Sequence, residues 1–136
     1  MENRDQQLKA MRPEIRRAQI IPGMSAEEEF QNRTLRPVIK LQNDLIIEVF
    51  KNYIVKRKNV FHNLILEKKL EYIENAVQKD MKFRNSIKGM IIGQFTIDEY
   101  QLYIQNSSAL NKRIMNIVKE RLWHNIQVFD SKKIAV

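Results

Sequence analysis

The sequence has no cysteine, and its 136 residues include only two histidines. Without cysteine the chain has no disulfide bond and no thiolate metal ligand, which is typical of proteins from a reducing compartment. The sequence also has no Glu-x-x-His pair of the kind found in di-iron helical bundles. His124 follows Glu120 by one helical turn, a spacing that we interpret as a surface ion pair. We therefore expect no metal and no cofactor.

Long hydrophobic runs are also missing from the sequence. The longest uncharged apolar stretch lies near residues 89–97, which is far shorter than the roughly 20 residues that a membrane-spanning helix needs. The first residues lack the apolar segment of a signal peptide. We therefore expect a cytoplasmic protein that does not contact a membrane.

Motifs of nucleophilic catalysis and phosphate binding are absent as well. No Gly-x-Ser-x-Gly occurs, and the serines lie at expected helix caps or in polar breaks, where serine is common. Gly89 and Gly93 are four residues apart, but they lack the third glycine and the Lys-Ser/Thr pair of a phosphate-binding loop. The sequence therefore predicts a protein that is not an enzyme and has no small-molecule substrate.

Positive charge is the main feature that the composition does provide. The chain has 24 Lys and Arg against 16 Asp and Glu, a formal net charge of +8 and a pI near 9.8. This excess favours a polyanionic partner such as nucleic acid. It is spread evenly along the chain, so charge alone leaves nucleic-acid binding and a merely solvated basic surface equally open.

Two capping boxes mark the predicted starts of helices. Ser25 and Thr96 are each followed three residues later by glutamate, so a side chain caps the helix and the carboxylate reaches back to the cap. Apolar residues then recur at a helical spacing of three to four, and no useful β-alternation appears. A helix beginning near Leu66 continues toward Gly93, with a kink expected at residues 85–86. The sequence predicts an all-α protein, a small antiparallel bundle of three to five helices.

The chain divides into three predicted parts. Residues 1–24 form a basic extended arm, because Pro13, Pro22 and Gly23 interrupt any helix and the apolar positions have no period. Residues 25–130 form the helical bundle, and residues 131–136 form a short C-terminal tail. The arm is either disordered alone or ordered by a partner.

Three stretches without any acidic residue are the best indication of a binding surface. They span residues 49–66, 81–97 and 100–119, and the first also contains Tyr53 and Phe61. Cations neutralise phosphates, and an exposed aromatic ring can stack on an unpaired base. The alternative is that these stretches are solvated helix faces, with Tyr53 and Phe61 in the core. The predicted RNA-binding residues are Arg12, Arg16, Arg17, Lys51, Lys56, Arg57, Lys58, Lys82, Arg84, Lys88, Lys112 and Arg113.

A polar cluster in the last third of the chain has two interpretations. It either lines a pocket or lies in a seam between helices. Its members are Tyr100, Tyr103, Asn106, Ser107 and Asn111.

Four segments resemble a small helical family of Bacteroidetes-type bacteria, over most of the chain after Phe30. They are FQNRTLRPVIKLQNDL from residue 30, LEYIENA from residue 70, GQFTIDEY from residue 93 and NSSALNKR from residue 106. Members of that family often have a glyoxalase label in genomes. A glyoxalase site needs paired βαβββ modules and a metal held by histidine and glutamate, so the resemblance implies no catalytic residues here. The chain is also similar in type to lineage-specific ribosomal or ribosome-associated proteins.

Together these features favour a non-enzymatic protein that binds structured RNA, with ribosomal RNA and ribosomal proteins as partners. The N-terminal arm and the basic helix ends would contact phosphates. The alternative is a helical protein–protein interaction module or homo-oligomer that does not bind nucleic acid.

Overall fold

The computed structural model describes residues 2–134, and helices dominate this part of the chain. A π-helical turn, Gln31–Leu35, joins the second helix to the third, and 3-10 segments occupy Val60–Asn63 and Ile126–Ile134. Between residues 2 and 134 there is no strand, so the all-α prediction is confirmed, although the helices outnumber the expected three to five. The α-helices are α1 (Glu2–Met11), α2 (Ala26–Phe30), α3 (Arg36–Leu41), α4 (Asn43–Lys56), α5 (Leu66–Lys79), α6 (Met81–Ile92), α7 (Ile97–Ile104) and α8 (Ser107–His124).

Both predicted capping boxes are present and begin helices. The Ser25 hydroxyl accepts a hydrogen bond from the Glu28 backbone N–H at 3.1 Å, and α2 follows. Thr96 accepts from the Glu99 N–H at 3.2 Å, while the Glu99 carboxylate accepts from the Thr96 N–H at 2.8 Å. Each box satisfies two backbone donors that the first turn of a helix leaves without partners.

The prediction of an extended arm is wrong for Glu2–Met11, which form α1. This helix is almost entirely polar, so it has no apolar period to reveal it. Contacts with the loop before α7 fix it: Arg4 donates to the carbonyl oxygens of Gly93 and Phe95 at 3.2 and 3.0 Å. Asp5 accepts from the Ile97 N–H at 3.2 Å. Residues 12–25 contain no helix or strand.

The long helix predicted from Leu66 is two helices, α5 and α6, divided at Asp80. The Asp80 backbone is extended, and its side chain accepts from the Phe83 N–H at 3.3 Å as the N-cap of α6. The expected kink at residues 85–86 therefore lies five residues too late. The predicted tail, residues 131–136, starts inside the 3-10 segment Ile126–Ile134, and residues 135–136 lie outside the described part.

Helix α8 is the centre of the fold. It packs against α3, α5, α6 and α7, and it also contacts the π-helical turn and the last 3-10 segment. Its apolar positions recur every three to four residues, and Ile114, Val118 and Leu122 are fully buried. Phe50 of α4 anchors the rest of the core, with the ring of Phe129 at 5.0 Å between centroids. Each helix in the described part of the chain is too short or too polar to cross a membrane.

Candidate nucleic-acid interface

A basic groove runs along α8, where that helix faces the π-helical turn and α3. It consists of two recesses of about 790 and 630 Å³. Both recesses are lined by Gln31, Arg36, Ile117 and Glu120, so they form one continuous surface, which we call the α8 groove. The permanently charged cations that line the α8 groove are Arg17, Arg36, Lys112, Arg113 and Arg121.

Helix geometry explains how two of the α8 cations, Arg113 and Arg121, come to line the same groove. Arg113 and Arg121 are eight residues apart, which is about 12 Å along a helix and about 80° around it, so both lie on one face. Ile117 lies midway between them and is buried against the core. The two guanidinium groups therefore lie along one edge of α8, beside the segment that contains Arg36.

Neutral amide side chains orient the arginines of the α8 groove. Arg121 Nε donates to Asn43 Oδ1 at 3.1 Å, and Arg36 Nε donates to Asn32 Oδ1 at 3.4 Å. In the described part of the chain neither arginine has an ion pair. The amides therefore fix the directions of these arginines without cancelling their charge, and less side-chain entropy is lost when an anion binds.

Among the residues that the structure describes, two carboxylates line the α8 groove, Glu27 and Glu120. Glu27 pairs with Arg113 at 3.4 Å, and Arg113 also donates to Gln31 Oε1 at 2.9 Å. Glu120 is exposed. The ion pair expected between Glu120 and His124 is absent, since no described cation lies within 4.0 Å of the Glu120 carboxylate. Five cations against two carboxylates leave the α8 groove positive, which concentrates anions near it.

The positive surface continues from the α8 groove to α6. A further recess of about 340 Å³ is lined by Lys112, Arg84 and Asn116 among others. Arg84 donates to the Gln78 carbonyl oxygen at 3.4 Å, which holds its guanidinium next to α8. Four predicted residues thus share this extended surface: Arg17, Arg84, Lys112 and Arg113.

Arg36 and Arg121 were not among the predicted RNA-binding residues. Arg121 lies outside the acid-free stretches, because Glu120 precedes it. Arg36 was missed because it lies outside those stretches. The sequence does contain one signal for Arg121: its spacing of eight residues from Arg113 places both arginines on one face of α8.

Arg12 is held by contacts within the protein, and its side chain is buried. Its guanidinium forms two hydrogen bonds of 2.7 Å with the Glu99 carboxylate and a third of 2.7 Å with the Gln94 carbonyl oxygen. The side chains of Arg12 and Glu99 are 7% and 8% exposed. Thr34 also donates to Glu99, at 3.1 Å. These contacts attach the N-terminal segment to α7, and they argue against the predicted binding role of Arg12.

Arg57 is also held by contacts within the protein. It pairs with Asp80 at 2.8 Å, and its guanidinium lies 3.5 Å from the centroid of the Tyr53 ring. Tyr53 donates a 2.9 Å hydrogen bond to Asp80. This bond, the Phe83 N–H and the Arg57 charge hold the pKa of Asp80 below its usual value, and burial raises that of Tyr53.

The aromatic residues of the first acid-free stretch belong to the core. Phe61 is fully buried, and its ring lies edge-on to Phe50 at 5.8 Å. Tyr53 is half-buried and stacked on Phe50 at 5.7 Å. Neither ring is available to stack on an unpaired base, so the alternative interpretation of Tyr53 and Phe61 is correct.

The remaining predicted residues lie outside the α8 groove. Lys51 pairs with Glu48 at 3.2 Å on the surface of α4. Arg16, Lys56, Lys58 and Lys82 are exposed, and Lys88 is half-buried. None of these five has an ion pair among the described residues. Lys56 is the last residue of α4 and Lys58 lies two residues later, where its backbone is left-handed with φ of 61°.

The polar cluster of the last third is divided between a seam and a recess. Tyr103 is buried between α7 and α8 and donates to Asn111 at 2.6 Å. Asn106 lines an apolar recess of about 420 Å³ between α2 and α7, and it donates to Glu27 at 2.9 Å. Two carboxylates of this recess, Glu27 and Glu99, already have internal arginine partners. The α8 groove is therefore the better candidate site.

Comparison of the chain with protein-family models, curated proteins and solved structures gave no match. Within residues 2–134 no three His, Asp or Glu side chains are grouped so that they could hold a metal ion. Function therefore has to be inferred from the shape and charge of the α8 groove.

Proposed function

We propose that this protein is not an enzyme and binds structured RNA through the α8 groove, as a ribosomal or ribosome-associated component of the cytoplasm. Its partners would be ribosomal RNA and the ribosomal proteins beside it. The observation that supports this most is that Arg36 and Arg121 are held in place by neutral amides, with no carboxylate to cancel their charge.

Phosphate binding explains the composition of the α8 groove. Each phosphate that a cation neutralises releases a condensed counterion, so affinity falls steeply as salt rises. Amide side chains beside the arginines supply hydrogen bonds to phosphate and sugar oxygens. The lining includes Gln31, Asn32 and Asn43, which are such groups.

The test is to neutralise three cations of the α8 groove, Arg36→Gln, Lys112→Gln and Arg121→Gln. We expect the slope of log affinity against log salt to flatten by about two to three units, since each lost phosphate contact removes roughly 0.7–0.9. Binding to a structured ribosomal RNA fragment and co-sedimentation with ribosomes would both be measured across a salt series.

A matched control replaces three lysines outside the α8 groove, Lys9→Gln, Lys68→Gln and Lys79→Gln. Both triple variants lower the net charge from +8 to +5, so only the position of the charge differs. The control variant should keep the wild-type slope within about half a unit. Equal losses in the two variants would mean that binding depends on total charge, and would remove the α8 groove from the proposal.

The second candidate function is a protein–protein module, and exposed apolar side chains on α7 favour it. Ile97, Leu102 and Ile104 are 42%, 56% and 53% exposed. If these residues form a contact between copies or with another protein, Leu102→Glu with Ile104→Glu should abolish association while the α8 groove variants leave it intact. Analytical ultracentrifugation of both variants separates the two functions.

A further inference from the structure

Glu120 is an anion in the middle of the α8 groove. It lies on the lining of both recesses, as Arg36 does. Its side chain is exposed, and within residues 2–134 it has no ion pair or hydrogen bond. The other carboxylate of the α8 groove, Glu27, is neutralised by Arg113 and capped by Asn106. Glu120 is thus the one lining carboxylate that keeps an uncompensated charge among the residues described.

An uncompensated carboxylate weakens binding to phosphates, because like charges repel at short range. A carboxylate in a groove that binds phosphates strengthens binding only where the ligand presents a hydrogen-bond donor to it. A repulsive group of this kind makes a surface selective, since ligands without that donor are rejected. Glu120 is therefore placed to read a donor on the nucleic acid.

The shape of paired RNA limits which donor this is. Side chains cannot read the deep, narrow major groove of an RNA helix, whereas the minor groove is wide and shallow. In the minor groove the ribose 2′-hydroxyls present a donor at every nucleotide. Among the base edges, those of adenine and uracil present only acceptors, so the amino group of guanine is the donor that differs from one base pair to another. No aromatic side chain other than His124 lines the α8 groove in the described structure, which favours a paired ligand over stacked single-stranded bases.

We propose that Glu120 makes the α8 groove selective for guanine in paired RNA, by accepting a hydrogen bond from the guanine 2-amino group in the minor groove. This inference rests on the proposed RNA-binding function. The cations of the α8 groove position the phosphates, and Glu120 distinguishes G·C from A·U pairs. The amides of Gln31 and Asn116 lie on the same lining and would contact the ribose hydroxyls that mark RNA.

Inosine provides the test, because it is guanine without the 2-amino group. Two RNA duplexes of about 20 base pairs, one with G·C and one with inosine·C pairs, carry the same phosphates and the same major-groove edges. Both are measured at a temperature where they are fully paired. We expect the wild-type protein to bind the G·C duplex about tenfold more tightly, the scale of one good base contact.

Replacement of Glu120 should remove this preference. In Glu120→Ala the ratio of the two affinities should fall to about one, while binding to the inosine duplex becomes tighter because the repulsion is gone. Glu120→Gln keeps an acceptor oxygen without the charge and should retain part of the ratio. Glu74→Ala, at an exposed glutamate of α5 outside the α8 groove, should keep the wild-type ratio.

Two negative results have different meanings. If the wild type binds both duplexes equally, or if Glu120→Ala keeps the full ratio, the guanine inference is wrong and the α8 groove remains a phosphate site. The RNA-binding function fails if the protein binds neither duplex, or if Arg36→Gln and Arg121→Gln leave the binding unchanged. The role of Glu120 then fails with it.

Discussion

Arg12 shows how strongly a single residue can depend on its surroundings. Its guanidinium and the Glu99 carboxylate are both buried, and they form two hydrogen bonds with each other. Removing one partner of a buried pair leaves the other charge without compensation, which costs about 3–5 kcal/mol. We therefore expect Arg12→Met to lower the free energy of unfolding by about 3 kcal/mol, measured by urea denaturation.

Arg16 is the control for Arg12, since it lies four residues away and is exposed. Arg16→Met should change the free energy of unfolding by less than about 0.5 kcal/mol, the usual effect of a surface substitution. Similar values for the two variants would contradict the structural role of Arg12.

Glu99 makes the same contact sensitive to pH. Burial raises the pKa of Glu99, but hydrogen bonds from Arg12, the Thr96 N–H and Thr34, with the charge of Arg12, hold it below its ordinary value of 4.5. The folded protein then binds the proton less well than the unfolded chain, so this stabilisation is complete above 4.5 and is lost as the pH falls through the folded pKa.

The expected result is a difference between the wild type and Glu99→Gln in acid. Between about pH 5 and about pH 3 the wild type should lose more unfolding free energy than the variant, because only the wild type has this carboxylate to protonate. Urea denaturation at several pH values measures both curves. Parallel curves would show that Glu99 does not titrate as its contacts require.

Sequence alone does not distinguish Arg12 from Arg16 or Arg17. All three lie in one irregular segment, with similar neighbours. What separates them is a glutamate 87 residues later in the chain, and no local pattern encodes that contact. Charge patterns therefore select two kinds of residue. Arg17, Lys112 and Arg113 line the α8 groove, whereas Arg12 and Arg57 are held by contacts within the protein.

At the scale of the helix, a sequence motif predicts a helix start reliably when all of its residues lie within four positions of one another. The capping boxes at Ser25 and Thr96 marked two helix starts correctly, since hydroxyl, carboxylate and backbone are all close in sequence. The break at Asp80 has no local signal, because its capping role also depends on Tyr53 of α4 and on Arg57, which follows α4. Helix α1 was missed because tertiary contacts of Arg4 and Asp5 define it.

The N-terminal cap of α7 can be tested by removing the side-chain hydroxyl of Thr96. Loss of an N-cap hydroxyl usually costs about 0.5–2 kcal/mol. Thr96 is buried and its partner Glu99 also holds Arg12, so Thr96→Ala should lie in the upper half of that range. Ser25→Ala removes the same cap from the exposed start of α2 and should cost less. Thermal or urea unfolding that ranks Ser25→Ala as the more harmful change would contradict this.

At the scale of the whole molecule, the fold class can be predicted from the composition and from the helical spacing of apolar residues. The α8 groove cannot be predicted in this way. The absence of β-alternation and the two capping boxes were sufficient for an all-α fold. The α8 groove combines the N-terminal segment, α3 and α8, so its cations are separated by up to about a hundred residues in sequence. Residues such as Arg36 become functional candidates only when the packing of those elements is known.

Two separate cationic surfaces lead to a prediction about the size of the RNA ligand. Lys56 and Lys58 lie at the end of α4, whereas Asn43 at its start holds Arg121 in the α8 groove. The 14 residues of α4 place these two ends about 20 Å apart. A short duplex bound in the α8 groove would leave Lys56 and Lys58 in solvent, but a large folded RNA can contact both surfaces.

Lys56→Gln with Lys58→Gln should therefore have different effects on ligands of different size. Affinity for a duplex of about 10 base pairs should be unchanged, since such a ligand neutralises only the cations of the α8 groove. Binding to intact ribosomes should weaken, and its salt slope should flatten by about one to two units, one for each lost phosphate contact. Equal weakening for both ligands would mean that a short duplex bound in the α8 groove also contacts the two lysines. No change for either ligand would limit the RNA interface to the α8 groove.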